Sequence, residues 1–132
     1  MRSVRALVLT LALFLLIGAV AIHAARRDNQ AIAKAAALTG GDPTRGPALA
    51  IQHGCAGCHE IRGVRGPSGR VGPPLTTIAE RVYLGGVATN TPENLVRWIV
   101  NPKDFSPKTA MPITGISEPE ARHVAAYLLA LP

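Results

Sequence analysis

The chain has 132 residues, 48% of them hydrophobic, and a formal charge of +6, a length that allows a membrane segment plus one small domain and leaves no room for a second. Arg2, Arg5, Arg26 and Arg27 flank the apolar N-terminal run, so beyond Arg27 ten Lys or Arg face eight Asp or Glu, a net of +2, which argues against a nucleic-acid partner. Two cysteines three positions apart exclude a disulfide framework and imply that the thiols act together.

From Ala6 to Ala25 the sequence ALVLTLALFLLIGAVAIHAA carries no full charge over twenty residues. At about 1.5 Å per helical residue it spans the roughly 30 Å hydrocarbon core of a bilayer. Two readings compete: a secretory signal, with Ala19-Val20-Ala21 as a small-x-small cleavage site, and an uncleaved signal-anchor. The length of the run and its closeness to Arg26-Arg27 favour the anchor, placing a single-pass segment over 1–27. Positive charge on both flanks leaves its orientation open. Residues 28–41 (DNQAIAKAAALTGG) form an Ala-rich linker, either a tether or a continuation of the membrane helix. Residues 42–132 make up the folded domain, and no internal repeat interrupts them.

Within that domain the spacing predicts an all-α fold of three main helices joined by Gly/Pro-rich loops, with almost no strand. Asp42-Pro43 is an N-cap followed by proline at the first helical position and opens a helix through about His53. Asn90-Thr91-Pro92-Glu93 starts a second helix across Leu95, Val96, Ile99 and Val100, stopped by Pro102. Ser117-Glu118-Pro119-Glu120 reads as a capping box, after which Val124, Ala125, Leu128 and Leu129 recur at helical spacing. Tyr127 on this last helix is expected to pack on Gly46 of the first, where a missing side chain permits a close crossing. His53 reads as surface or helix-end polarity, and His123 as an exposed or half-buried histidine without a metal role.

The chemistry lies between the first two helices. Cys55-Ala56-Gly57-Cys58-His59 is C-x-x-C-H, the signature of c-type haem attachment. Each thiol adds to a haem vinyl group, and two intervening residues let one turn present both sulfurs to the porphyrin edge while His59 reaches the iron. Small Ala56 and Gly57 keep that turn uncluttered. A zinc site would need a fourth ligand that His23, His53 and His123 do not offer at a usual spacing. A thioredoxin-like redox pair would want a βαβ context that this Gly/Pro-rich sequence lacks. Either would make the chain a non-haem metal or thiol module. The exposed iron face needs a second ligand, and Met111 is the one methionine besides Met1. A lone Met is ordinarily core filler. Here it ends N-P-x-x-F-x-P-x-T-A-M-P, a proline-stiffened segment able to carry a thioether across a haem without forming a helix. Arg62, Arg65 and Arg70 follow the motif closely, either orienting a docking partner or simply solvating a loop.

Over nearly all of residues 40–132 the chain resembles a class I cytochrome c. That resemblance implies a cofactor-binding set of Cys55, Cys58, His59, Pro73, Leu75, Trp98, Thr109 and Met111, with His59 and Met111 as the iron ligands. Gly72-Pro73-Pro74-Leu75 matches the segment whose proline carbonyl accepts a hydrogen bond from the proximal histidine. Trp98 sits where the family places an aromatic near the axial methionine, and Thr109 matches a hydroxyl that bonds a haem propionate. Lys108 departs from the frequent glycine before that threonine, which leaves the loop conformation open. The resemblance further implies one covalent haem c, outer-sphere electron transfer without enzymatic turnover, redox-protein partners of a respiratory or related chain, and a domain on the periplasmic side of the cytoplasmic membrane. The alternative within haem proteins is an enzyme subunit or ligand sensor in which Met111 is displaceable.

Overall fold

The computed structural model describes residues 2–67 and 69–131. Its helices are α1 (Arg2–Thr39), α2 (Gly46–Gln52), α3 (Pro92–Val100) and α4 (Glu118–Ala130), with a two-stranded antiparallel hairpin, β1 (Tyr83–Leu84) and β2 (Ala88–Thr89). Contacts divide the chain into two compact units, 1–30 and 31–132.

In the first unit α1 is long and apolar enough to cross a membrane. From Val4 to Gln30 its residues are exposed except for half-buried Gly18, with Leu7 at 70% and Phe14 at 73%. Such an all-round apolar helix gains nothing from water and suits hydrocarbon. The Thr10 hydroxyl donates to the Leu7 carbonyl at 2.8 Å, so it too would enter a bilayer with a partner.

The second unit starts inside α1, at Ala31. Ala35 and Thr39 are buried there. The Thr39 hydroxyl donates to the Ala35 carbonyl at 2.8 Å and accepts the Gly41 N–H at 3.1 Å. A buried hydroxyl is thereby satisfied. From α4, Arg122 Nη1 donates to the Thr39 carbonyl at 2.8 Å. A Cβ on Gly41 would lie 2.1 Å from the Arg122 carbonyl oxygen. Residues 31–41, read from the sequence as linker, therefore pack on the last helix as part of this unit.

The expected first helix of the domain begins as a 3-10 turn, Pro43–Arg45, before α2. Pro47 has no N–H with which to close an α-helical bond to Pro43, and the Gly46 N–H takes that carbonyl instead. Asp42 caps the turn through Thr44. α3 starts as its sequence predicts, with Thr91 accepting the Asn94 N–H at 3.1 Å and Pro92 following. The hydrophobic core joins Leu49 and Ala50 of α2, Leu95, Val96 and Ile99 of α3, and Ala121, Val124, Ala125 and Leu128 of α4. The expected crossing of α2 and α4 is present: a Cβ on Gly46 would sit 2.3 Å from Tyr127 Cβ. Farther out, the Tyr127 hydroxyl donates to the Arg62 carbonyl, and burial pushes that phenol above its usual range.

At the start of α4 the Ser117 hydroxyl donates to Glu120 Oε2 at 2.6 Å and the Ser117 N–H to the same oxygen at 3.0 Å. Those two bonds hold the Glu120 carboxyl below the usual carboxylate range. A depressed carboxylate stabilises the fold fully above its unfolded value, about 4.3, and its contribution is lost as pH falls through the lower folded value. Ser117→Ala is expected to cost about 1 kcal/mol at neutral pH. The same substitution should flatten the acid limb of a stability-versus-pH curve measured by chemical denaturation.

Candidate functional site

His53 caps the C-terminal end of α2, and Gly54 follows with φ of +72°, a left-handed residue that turns the chain sharply. Cys55–Gly57 then form one 3-10 turn, with the His59 N–H donating to the Cys55 carbonyl at 3.0 Å. The two cysteines and the histidine are thus fixed by a single tight coil of backbone. The following segment runs alongside it. Gly69 N–H donates to the Ala56 carbonyl at 3.1 Å, Gly72 N–H to Cys58 at 2.8 Å, and Leu75 N–H to Glu60 at 2.8 Å. This arrangement brings the Pro73 carbonyl to 2.8 Å from His59 Nδ1. Because a carbonyl only accepts, Nδ1 is the nitrogen that carries the proton, and in the neutral ring the lone pair lies on Nε2.

Gly72 makes that approach possible. A Cβ there would lie 2.3 Å from His59 Cε1 and 2.5 Å from Nδ1. Gly72→Ala is expected to push the imidazole off the Pro73 carbonyl and to cost about 1–3 kcal/mol, the range for overpacking. Thermal melts, together with the fraction of purified chain carrying cofactor, check this.

The second chemical element comes from the segment between α3 and α4. Asn101 stops α3, its side chain accepting the Lys103 N–H at 3.2 Å and donating to Asp104 at 2.7 Å. The Thr109 N–H donates to the Ser106 carbonyl at 3.0 Å, and the Thr109 hydroxyl accepts the Met111 N–H at 3.2 Å. From α3, Trp98 Nε1 donates to Met111 Sδ at 3.2 Å. Lys108 sits in this loop with an ordinary negative φ, since among the described residues only glycines have positive values. Its departure from the family's glycine therefore costs no backbone strain.

These segments enclose a cavity of about 270 Å³ lined mostly by apolar side chains. Cys55, Cys58, His59, Pro73, Leu75, Trp98, Thr109 and Met111 all line it. Burial pushes the Cys55 thiol above its ordinary range, so as a free side chain it stays protonated. Among the described residues no three His, Cys, Asp or Glu side chains come together as a metal cluster. His53 and His123 lie outside the cavity. His123 Nδ1 accepts the Asp42 N–H at 2.7 Å, and His53, whose side chain is only 12% exposed, has Nε2 3.7 Å from Glu120 Oε2. His53 is thus a largely buried helix-end residue rather than a surface one.

Sequence reasoning missed Arg81, Leu84 and Gly85, which also line the cavity. The Arg81 guanidinium donates to the Pro74 carbonyl, and Asn90 Nδ2 donates to the Ile78 and Arg81 carbonyls at 2.7 and 2.9 Å, pinning the turn that carries it. Nothing in the local pattern around Arg81 marks it, because its place depends on that contact with Asn90. The hairpin had a readable signal in Gly85-Gly86, both with positive φ.

No curated protein matches the chain. Residues 43–132, which hold α2, α3, α4 and the whole cavity lining, match the family model described as Cytochrome c. The chain therefore belongs to the cytochrome c family, in its class I form, and carries a covalently bound c-type haem.

Proposed function

We propose that the protein is a one-electron carrier of a respiratory or related redox chain, with its haem bonded through Cys55 and Cys58, ligated by His59 and Met111, and tethered by α1 to the outer face of the membrane. The observation that carries this reading is the meeting of His59 and Met111 on one apolar cavity, with the histidine already oriented by Pro73. The residues present suit the group: two thiols on one turn, an imidazole with a free Nε2, a thioether, and otherwise apolar walls. Bound there, the haem supplies a ferric/ferrous couple whose potential is set by its axial ligands and surroundings.

The protein's part is to hold and to exclude. Cys55 and Cys58 fix the porphyrin edge, and the Pro73 carbonyl keeps the proximal ring in one tautomer and orientation, which raises its basicity as a ligand. Met111, on the opposite segment of the cavity lining, would supply the second iron ligand, and with both ligand places taken by side chains the group would exchange electrons without binding a substrate. Leu75, Leu95, Ile99 and Leu128 keep water from the cavity. Arg81 and Thr109 are polar side chains on its wall suited to haem propionates. The Gly/Pro loops that carry His59 and Met111 are stitched by backbone hydrogen bonds, which would favour keeping the same two side chains on the group as its charge changes.

α1 supports the tether by its length and apolarity. Haem attachment of this type is a property of exported domains, which supports the outer face and, with it, membrane oxidases or reductases as partners. A tether raises the carrier's effective concentration near them. Exposed Arg62, Arg65 and Arg70 are available to orient such a partner. The test is a membrane preparation solubilised in detergent and denatured. The denatured polypeptide should keep one haem mass through acidified organic solvent, the folded ferric protein read before denaturation should show the red-end charge-transfer band of Met–iron ligation, and the chain should resist alkaline carbonate extraction from the intact membranes. A colourless chain, or pigment lost to solvent, overturns the reading, and release by carbonate overturns the tether.

A further inference from the structure

We propose that His123 is a proton-operated latch: as a neutral ring it holds the chain leading out of α1 against α4, and on taking a proton it loosens that hold. The ring is carried by α4, and its Nδ1 accepts the Asp42 N–H at 2.7 Å. A nitrogen that accepts a hydrogen bond has no proton of its own, so the bond exists only in the neutral tautomer protonated at Nε2. In the imidazolium both nitrogens carry hydrogen, and Nδ1–H would meet the Asp42 N–H head on.

The ring is one part of a three-part clasp. Arg122 Nη1 donates to the Thr39 carbonyl at 2.8 Å while its Nη2 donates to Glu118 at 2.6 Å, and a guanidinium keeps its charge throughout. Gly41 lies against the backbone of α4, where a Cβ would come within 2.7 Å of the His123 backbone nitrogen. Of the three, only the imidazole changes state between about pH 5 and 8, and its half-buried position gives protons access.

The charges around the ring set the direction. Asp42 stands beside it at the head of the 3-10 turn, with Arg45 acting on the same carboxyl. α2 carries no ionisable side chain, and Lys34, the one charge in residues 31–41, is exposed. On α4 itself the neighbours are Glu120, tied to Ser117 and facing His53, then Arg122, and Tyr127 four residues on. Bonds from the Thr44 hydroxyl and N–H, at 2.7 and 2.9 Å, hold the Asp42 carboxyl below its usual range, so it is ionised before and after the histidine titrates. An imidazolium is drawn to that carboxylate but can take it only from Thr44. Protonation therefore deprives the Asp42 N–H of its acceptor, and any new ion pair also uncaps the turn. Residues 31–41, once off α4, could extend from about 1.5 Å per residue toward more than 3 Å. A longer reach in acid is a consequence only if α1 is the tether proposed above; the latch itself does not depend on it.

Amide exchange on 15N-labelled holoprotein in detergent, at about pH 5 and 8, reads the latch at one atom. Corrected for intrinsic exchange rates, Asp42 N–H protection should fall about tenfold in acid, the scale of a hydrogen-bonding group left without its partner, while α3 amides hold theirs. His123→Asn puts an amide oxygen in place of Nδ1 that no proton can occupy, so its Asp42 protection should be the same at both pH values. The imidazole 15N shifts of the parent, which need no variant, should show the proton on Nε2 at pH 8. The proposal is overturned if the parent ring is protonated at Nδ1 there, if α3 and Asp42 lose protection together, if the parent shows no fall, or if His123→Asn falls as the parent does, which would move the cause to His53.

Discussion

Met111→Ala is expected to leave the haem bonded to the chain while opening the sixth position on the iron. Attachment depends on Cys55, Cys58 and the turn that carries them, and that turn is closed by bonds from Cys58 and His59 N–H groups to the Cys55 carbonyl, none of which involves Met111. The loop loses only one half-buried side chain, so the fold should survive. Water, a much weaker partner for ferrous iron than a thioether, would take the position. The midpoint potential should fall by on the order of 0.1 V, a fraction of the roughly 0.8 V over which axial ligation sets haem potentials. The ferric charge-transfer band should vanish, and the reduced variant should bind carbon monoxide at once where the parent binds it slowly. An unaltered spectrum would assign the sixth position to some other side chain.

Gly46→Val should be the most damaging substitution to the fold away from the haem. Its Cβ would meet Tyr127 Cβ at 2.3 Å and the His123 carbonyl oxygen at 2.9 Å. Both atoms lie on or next to the backbone of α4, so no flexible tip can move aside and the helices must separate. Overpacking of this kind costs about 3 kcal/mol or somewhat more, a large part of the roughly 5–15 kcal/mol that holds a domain together. Separation would also draw the Tyr127 hydroxyl away from the Arg62 carbonyl, loosening the loop just beyond the haem motif. Gly18→Ala is the control, because a Cβ at Gly18 meets nothing within 4 Å and its φ is not positive; its effect on the domain should stay within about 0.5 kcal/mol. Guanidinium unfolding of the two loaded variants beside the parent measures the difference.

The features legible in the sequence are those decided by neighbours a few positions apart. Thr91-Pro92 and Ser117 with Glu120 start their helices where capping chemistry places them, and Cys55, Cys58 and His59 declare their purpose by spacing alone. The family resemblance extended this to Pro73, Trp98, Thr109 and Met111, and the fold brings all of them to the cavity. The opening of α2 differed because two prolines compete: Pro43 invites a helix, and Pro47 denies it the first α-type bond. What stayed hidden depends on contacts between distant segments. Thr39 is buried where Arg122, 83 residues later, donates to its carbonyl. Arg81 reaches the cavity on a turn held by Asn90. No periodicity marks either one.

Ile78, Leu84, Leu95, Ile99, Val124 and Leu128 belong both to the hydrophobic core and to the cavity wall, so the interior of this small domain is built around its pigment. Porphyrin is then a keystone rather than cargo, and a polypeptide that never received it would keep a cavity of about 270 Å³ behind these six large aliphatic groups that no side chain fills. Opening would be frequent in such a chain, and proteases act on the open population. The steady-state amount of this protein in a cell should accordingly follow iron and porphyrin supply even when its synthesis is constant.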